Sequence, residues 1–170
     1  MQDNTLLCET LQQMAIFGGV DDKALQFLLA RSRTSEYTAG THITKEGETG
    51  TGLFVLLSGR VAVQRQWNDH EVLLRELATG DCFGEMALLD LGRRSASVLA
   101  LEDCSVLEME TGLMHDFFEH DTRQFALMQM NIARELSRRL RTTFNVLFGA
   151  ATESGRGLIE RLLRQACCGV

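Results

Sequence analysis

The chain has 170 residues, 45% of them hydrophobic, and a net charge of −6. That composition suits one globular domain and excludes a disordered chain, and no apolar run approaches the length needed to cross a bilayer. Residues 1–130 carry 10 basic against 20 acidic side chains and residues 131–170 carry 7 against 3, so the body is acidic and a poor general binder of nucleic acid. The start of the chain, Met1-Gln2-Asp3-Asn4, has neither the basic residues nor the apolar stretch of a secretory leader. The first 34 residues read as helical, with Leu6, Leu7, Leu11, Met14 and Ala15 at helical spacing. Gly18-Gly19 breaks that helix, and Asp21 or Asp22 caps a second one bearing Leu25, Leu28 and Leu29.

Near Ser35 the pattern changes to short Val-, Leu- and Thr-rich runs. Strands are expected at 41–44, 53–57, 60–66, 72–77, 95–101 and 105–109, with glycines at 40, 47, 50, 52, 59, 80 and 84 in the turns. Arg60-Val61-Ala62-Val63-Gln64 alternates as a half-buried strand does. Such strands imply an antiparallel sandwich or barrel. Gly47-Glu48-Thr49-Gly50-Thr51-Gly52 reads as a hairpin loop, since no Lys or Ser/Thr follows at P-loop spacing.

Helical character returns after Thr111, with Thr111 and Asp116 as expected caps. From about 121 to 147 the apolar positions Phe125, Met128, Ile132, Leu136, Leu140 and Leu147, with Thr143, step by three or four. They make one amphipathic helix of about 40 Å. A small barrel cannot cover so long a stripe, so part of it is expected to meet a partner. Met128 and Met130 read as core filling rather than metal ligands. A short helical tail, 148–170, is expected to carry Leu158, Ile159, Leu162 and Leu163.

The five cysteines, at 8, 82, 104, 167 and 168, form no C-x-x-C, and an odd number without a leader points to reduced thiols in a cytoplasm. The histidines at 42, 70, 115 and 120 form no ligand cluster, which argues against a metal-dependent cupin-type enzyme and against any metal or cofactor.

The chemistry concentrates in Asp81-Cys82-Phe83-Gly84-Glu85-Met86-Ala87-Leu88-Leu89, followed by Arg93-Arg94-Ser95-Ala96-Ser97-Val98. Gly84 allows close backbone approach, and residues 85–89 form one helical turn whose free N–H groups suit an anion. Arg94 neutralises a phosphate through charge-assisted bonds, and Glu85 accepts from a hydroxyl. Together they are complementary to a sugar phosphate. No nucleophile or general base accompanies them, so binding is expected and enzymatic turnover is not.

These two segments resemble the phosphate-binding cassette of cyclic nucleotide-binding domains, as in the catabolite activator protein and in regulatory subunits of cAMP-dependent protein kinase. The resemblance extends to Ile16-Phe17 with Val20-Asp21-Asp22, to Ala39-Gly40-Thr41-His42-Ile43, to Glu46-Gly47-Glu48, and to the run from Leu53 to Val61. It implies a mainly β, α+β fold: an antiparallel β-roll or jelly-roll barrel over about 35–109, N-terminal helices and a long C-terminal helix, the domain spanning 10–147. It also implies cAMP, or cGMP, as ligand. Glu85 and the Gly84 backbone would hold the ribose hydroxyl, Arg94 the cyclic phosphate, and Ser95 and Ala87 further hydrogen bonds. Val63, Leu74 and Met86 would line the apolar part. Thr143 is assigned to the base or to helix–helix packing, with Arg139 and Thr142 beside it.

The resemblance further implies a stand-alone sensor that signals through its C-terminal helix, forms a homodimer through residues 125–147 and acts on an unidentified effector protein. The family's DNA-binding domain is not expected, because only about 20 residues follow the long helix. No DNA binding by this chain alone and no membrane contact are expected. The alternative is a ligand-free protein-interaction module on the same fold.

Overall fold

The computed structural model describes residues 2–68 and 70–154. The chain divides into two compact units, residues 1–132 and 133–170. In the first, α1 (Gln2–Gln12) leads into a 3-10 turn (Ala15–Phe17) and α2 (Asp22–Leu29). Asp21 is the cap, its carboxylate accepting from the Ala24 amide at 2.9 Å.

Eight strands follow: β1 (Arg33–Tyr37), β2 (His42–Thr44), β3 (Gly52–Ser58), β4 (Arg60–Trp67), β5 (His70–Ala78), β6 (Cys82–Phe83), β7 (Ser97–Ala100) and β8 (Cys104–Glu110). They form two four-stranded antiparallel sheets, ordered β1-β8-β3-β6 and β2-β7-β4-β5. The jelly-roll architecture is thus present as two facing sheets and not as a closed barrel.

Between the sheets lies a core of Phe54, Leu56, Phe83, Cys104 and Val106 from one sheet and Val61, Leu77, Val98 and Ala100 from the other. Spacing by two along β3, β7 and β8 puts these side chains on one face. Leu53, Val55, Leu107 and Met109 are buried on the opposite face. α4 (Thr111–His120) packs against β8. Helical cover behind β3 explains why residues 53–57 read as an unbroken apolar run rather than an alternating one.

Two strands escape sequence pattern. β1 opens with Arg33 and Thr34, the end of the stretch expected to be helical, whereas the helix itself ends at Leu29. Its sequence, Arg-Thr-Ser-Glu-Tyr, lacks apolar alternation, and its pairing with β8 rests partly on polar contacts. β6 has only two residues. The expected caps at Thr111 and Asp116 also give way. Thr111 is the first helical residue of α4, Asp116 lies inside it, and Glu110 is the N-cap without a side-chain bond. Asp121 instead caps α5 (Thr122–Ser154), accepting from the Gln124 amide at 3.0 Å.

α5 runs through Gly149 to Ser154, past the expected end near 147. Its first turns belong to the first unit, where Met128 and Ile132 are fully buried. Asn131 donates to the carbonyls of Ile16 at 3.2 Å and Gly18 at 2.9 Å. The expected tail helix near 158–163 and the Cys167-Cys168 pair lie outside the described residues.

Candidate cyclic nucleotide site

The first part of the site is a turn between β6 and α3 (Glu85–Leu89). Gly84 caps α3 at φ +81° and ψ 0°, a left-handed conformation that favours glycine. A Cβ there would stand 2.3 Å from Arg94 Nη1 and 3.0 Å from the Gly52 carbonyl oxygen. The missing side chain therefore makes room for the guanidinium.

Arg94 and Glu85 are each only 5% exposed. Arg94 Nη1 donates to the carbonyls of Gly52 at 2.9 Å and Gly84 at 3.0 Å. Both bonds leave from that one nitrogen, so Nε and Nη2 keep donors for another acceptor. The guanidinium carbon lies 4.9 Å over the Phe54 ring, which stacks on Phe83 at 5.1 Å. Among the described residues no carboxylate stands within ion-pair distance of Arg94. Burial pulls the guanidinium below its ordinary pKa, and the carboxylates of Glu48 and then Glu85 push it back up. It remains a cation at neutral pH.

A second wall comes from residues 45–52. Gly47 N donates to the Arg94 carbonyl at 2.9 Å, and Arg94 N donates to the Glu48 carbonyl at 2.8 Å. Arg93 Nη1 donates to the Gly47 carbonyl at 2.7 Å, so Arg93 ties down this wall while Arg94 turns inward. A Cβ on Gly50 would fall 2.3 Å from that of Ala87. The stretch expected to be a hairpin loop is bound to the cassette, and Glu48, Gly52 and Phe54 join the site unforeseen. The glycines were the available signal: Gly50 and Gly52 leave no room for a Cβ, and Gly47 takes a positive φ of +81°.

Gly84, Glu85, Met86, Ala87, Arg94 and Ser95 come together here, with Ser95 Oγ 3.6 Å from Met86 Sδ. Val63 packs against the core between the sheets. Leu74 lies on β5 where the register with β4 shifts, and both it and Met86 are exposed. Arg139, Thr142 and Thr143 belong to the second unit. There Arg139 pairs with Glu135 at 3.0 Å. Thr142 and Thr143 donate to the carbonyls of Arg138 and Arg139 at 3.1 and 3.0 Å. His42 lines a separate polar cleft of about 390 Å³ with Lys45, Glu46, Gln64 and Glu71. Among the described residues no three His, Cys, Asp or Glu side chains gather as a metal cluster.

The sequence profile of the cyclic nucleotide-binding domain matches residues 34–121. The chain belongs to the cyclic nucleotide-binding domain family. This domain is 29% identical over 158 residues to the CRP-like cAMP-activated global transcriptional regulator of Mycobacterium tuberculosis, covering 92% of this chain and 69% of the regulator. It is 32% identical over 155 residues to the Cyclic AMP receptor protein of Thermus thermophilus, covering 88% and 70%. The crystal structure of Thermus thermophilus Catabolite Activator Protein is similar at a TM-score of 0.70 and 31% identity, over 81% of this chain and 63% of that one. The regulatory domain of Toxoplasma gondii PKA with cAMP is similar at 0.62 and 26%, over 70% and 44%. The chain thus spans about two thirds of the curated regulators and less than half of the PKA regulatory structure. These relatives are regulators and a regulatory domain. Among the described residues no helix is long and apolar enough to cross a membrane.

Proposed function

We propose that the chain is a cyclic nucleotide sensor, with cAMP preferred over cGMP, and not an enzyme. The observation that carries this is the Arg94 guanidinium, 5% exposed and without an ion-pair partner among the described residues. A buried cation left with free donors is an anion site. Glu85 beside it accepts from the ribose hydroxyl, with help from the Gly84 backbone. Ser95 and Ala87 add hydrogen bonds to the phosphate, and Val63, Leu74 and Met86 line the sugar and base. Thr143 is the residue assigned to the base or to helix–helix packing, with Arg139 and Thr142 as the weaker candidates.

Ligand binding orders the cassette and shifts the population of C-terminal helix positions within a domain spanning 10–147. The signal passes through a homodimer to an effector protein in the cytoplasm, without DNA or membrane contact by this chain. Titration calorimetry with cAMP and cGMP tests the site directly. Arg94→Ala should cost about 2–5 kcal/mol of binding, as for a desolvated charge pair that loses one partner. Unchanged affinity in that variant defeats the assignment. A hundredfold excess of cAMP over its Kd should stabilise the wild type by about 2.7 kcal/mol in a thermal shift. No shift with either nucleotide favours a ligand-free interaction module.

A further inference from the structure

β4 outruns its neighbour at the edge of the cassette. The ladder between β4 and β7 runs from Val61 opposite Ala100 to Gln64 opposite Ser97, where β7 begins. The same register would set Gln66 opposite Ser95, but residues 94–96 leave the sheet to form the cassette. Amides on one edge of a strand recur at every second residue, so the Gln66 amide is left without a strand partner there. Glu46 fills the gap: its Oε2 accepts from Gln66 N at 3.0 Å and its Oε1 from Arg65 Nε at 3.1 Å. Its own amide donates to Ser97 Oγ at 3.0 Å, at the residue where the strand starts. The next residue, Gly47, is tied to the cassette, its amide donating to the Arg94 carbonyl at 2.9 Å and its carbonyl accepting from Arg93 Nη1 at 2.7 Å. We propose that Glu46 is a positioning residue for Arg94: its carboxylate stands in for the departed strand on β4 and so fixes where the chain turns from sheet into cassette. This rests on Arg94 being the phosphate ligand.

The physical reason is that a guanidinium serves a phosphate only when it is held in place before the ligand arrives. The head of Arg94 is fixed by the carbonyls of Gly52 and Gly84, and its main chain by residues 47 and 48. Those two residues follow Glu46 directly, so the carboxylate moors this wall to the sheet. β4 also bears Val63, assigned to the apolar part of the pocket, and the clasp therefore joins the phosphate half of the site to the apolar half. The amide bond carries the effect rather than the ion pair, because the Arg65 side chain is 60% exposed and such pairs contribute little.

Glu46→Ala should weaken cAMP binding on the order of tenfold, as for a lost hydrogen bond to a charged group. Glu46→Gln, which keeps an acceptor for the Gln66 amide, should recover most of that loss. Arg65→Ala, which removes only the exposed ion pair, should stay within about threefold of wild type. Unchanged affinity in Glu46→Ala, no recovery in Glu46→Gln, or a loss in Arg65→Ala as large as in Glu46→Ala overturns the proposal. A second measurement needs no ligand and separates positioning from general loosening: native-state amide hydrogen exchange. In Glu46→Ala, protection of the Gly47, Gln66 and Arg94 amides should fall by about tenfold or more while the β3–β8 ladder keeps its own. Protection retained at those amides, or lost equally throughout the fold, overturns the proposal. A wild type that binds no cyclic nucleotide sinks the sensor, and the exchange result alone then decides the clasp.

Discussion

Gly84 shows how one missing side chain builds the site. Its positive φ already disfavours any L residue, and a Cβ would collide with Arg94 Nη1. Gly84→Ala should therefore weaken nucleotide binding at least tenfold and lower stability by about 1–3 kcal/mol, read by calorimetry and thermal melting. A second residue-scale device lies away from the cassette. Glu108 is buried on β8 and accepts from Tyr37 OH at 2.8 Å and from Arg33. Burial opposes its charge, but the bonds from Arg33 and Tyr37 outweigh that and hold the carboxyl below its ordinary range. Burial and the Glu108 bond push Tyr37 up to about 12. The signs follow. The depressed carboxyl contributes stability that is present above the ordinary Glu range and lost as pH falls through its folded value. The raised phenol contributes stability present below about 10 and lost as pH rises toward 12. Tyr37→Phe should cost about 1.5–3 kcal/mol at neutral pH and remove the alkaline loss, as denaturation between pH 7 and 12 will show.

At the scale of elements, the opening turns of α5 are anchored rather than merely amphipathic. Met128 and Ile132 fill the helical entry, and Asn131 caps the carbonyls of Ile16 and Gly18. Gln124 Nε2 adds a bond to the Asp21 carboxylate at 2.8 Å. Ile132→Ala should cost about 2–5 kcal/mol through the cavity it leaves, and Asn131→Ala about 1–3 kcal/mol through orphaned carbonyls. Melting curves that do not move would show these turns to be loosely held. Sequence periodicity found α5 readily, because the apolar stripe repeats over many turns. It missed β1, because Arg33, Ser35 and Tyr37 face a partner seven strands and some 70 residues later in the chain that no local pattern reveals.

For the whole molecule, the stripe expected to form a homodimer is divided. Met128 and Ile132 are used within the first unit, while Leu140, Phe144 and Leu147 are 54%, 38% and 41% exposed. They recur at i, i+4 and i+7, the spacing of a helix–helix seam. The proposed dimer is therefore carried by residues after 136. Phe144→Glu should leave a monomer by light scattering at micromolar concentration; a mass that is monomeric already in the wild type refutes the dimer.

Local chemistry written in the chain determined the strands that alternate, the turns that need glycine, and the cassette segment that holds Glu85 and, nine residues later, Arg94. Each depends on neighbours close in sequence, where spacing and residue type suffice. Only the tertiary structure decided that the roll stays open as two sheets and that residues 45–52 wall the cassette. Those outcomes depend on which distant backbone is brought alongside, and that is settled by packing of the common core.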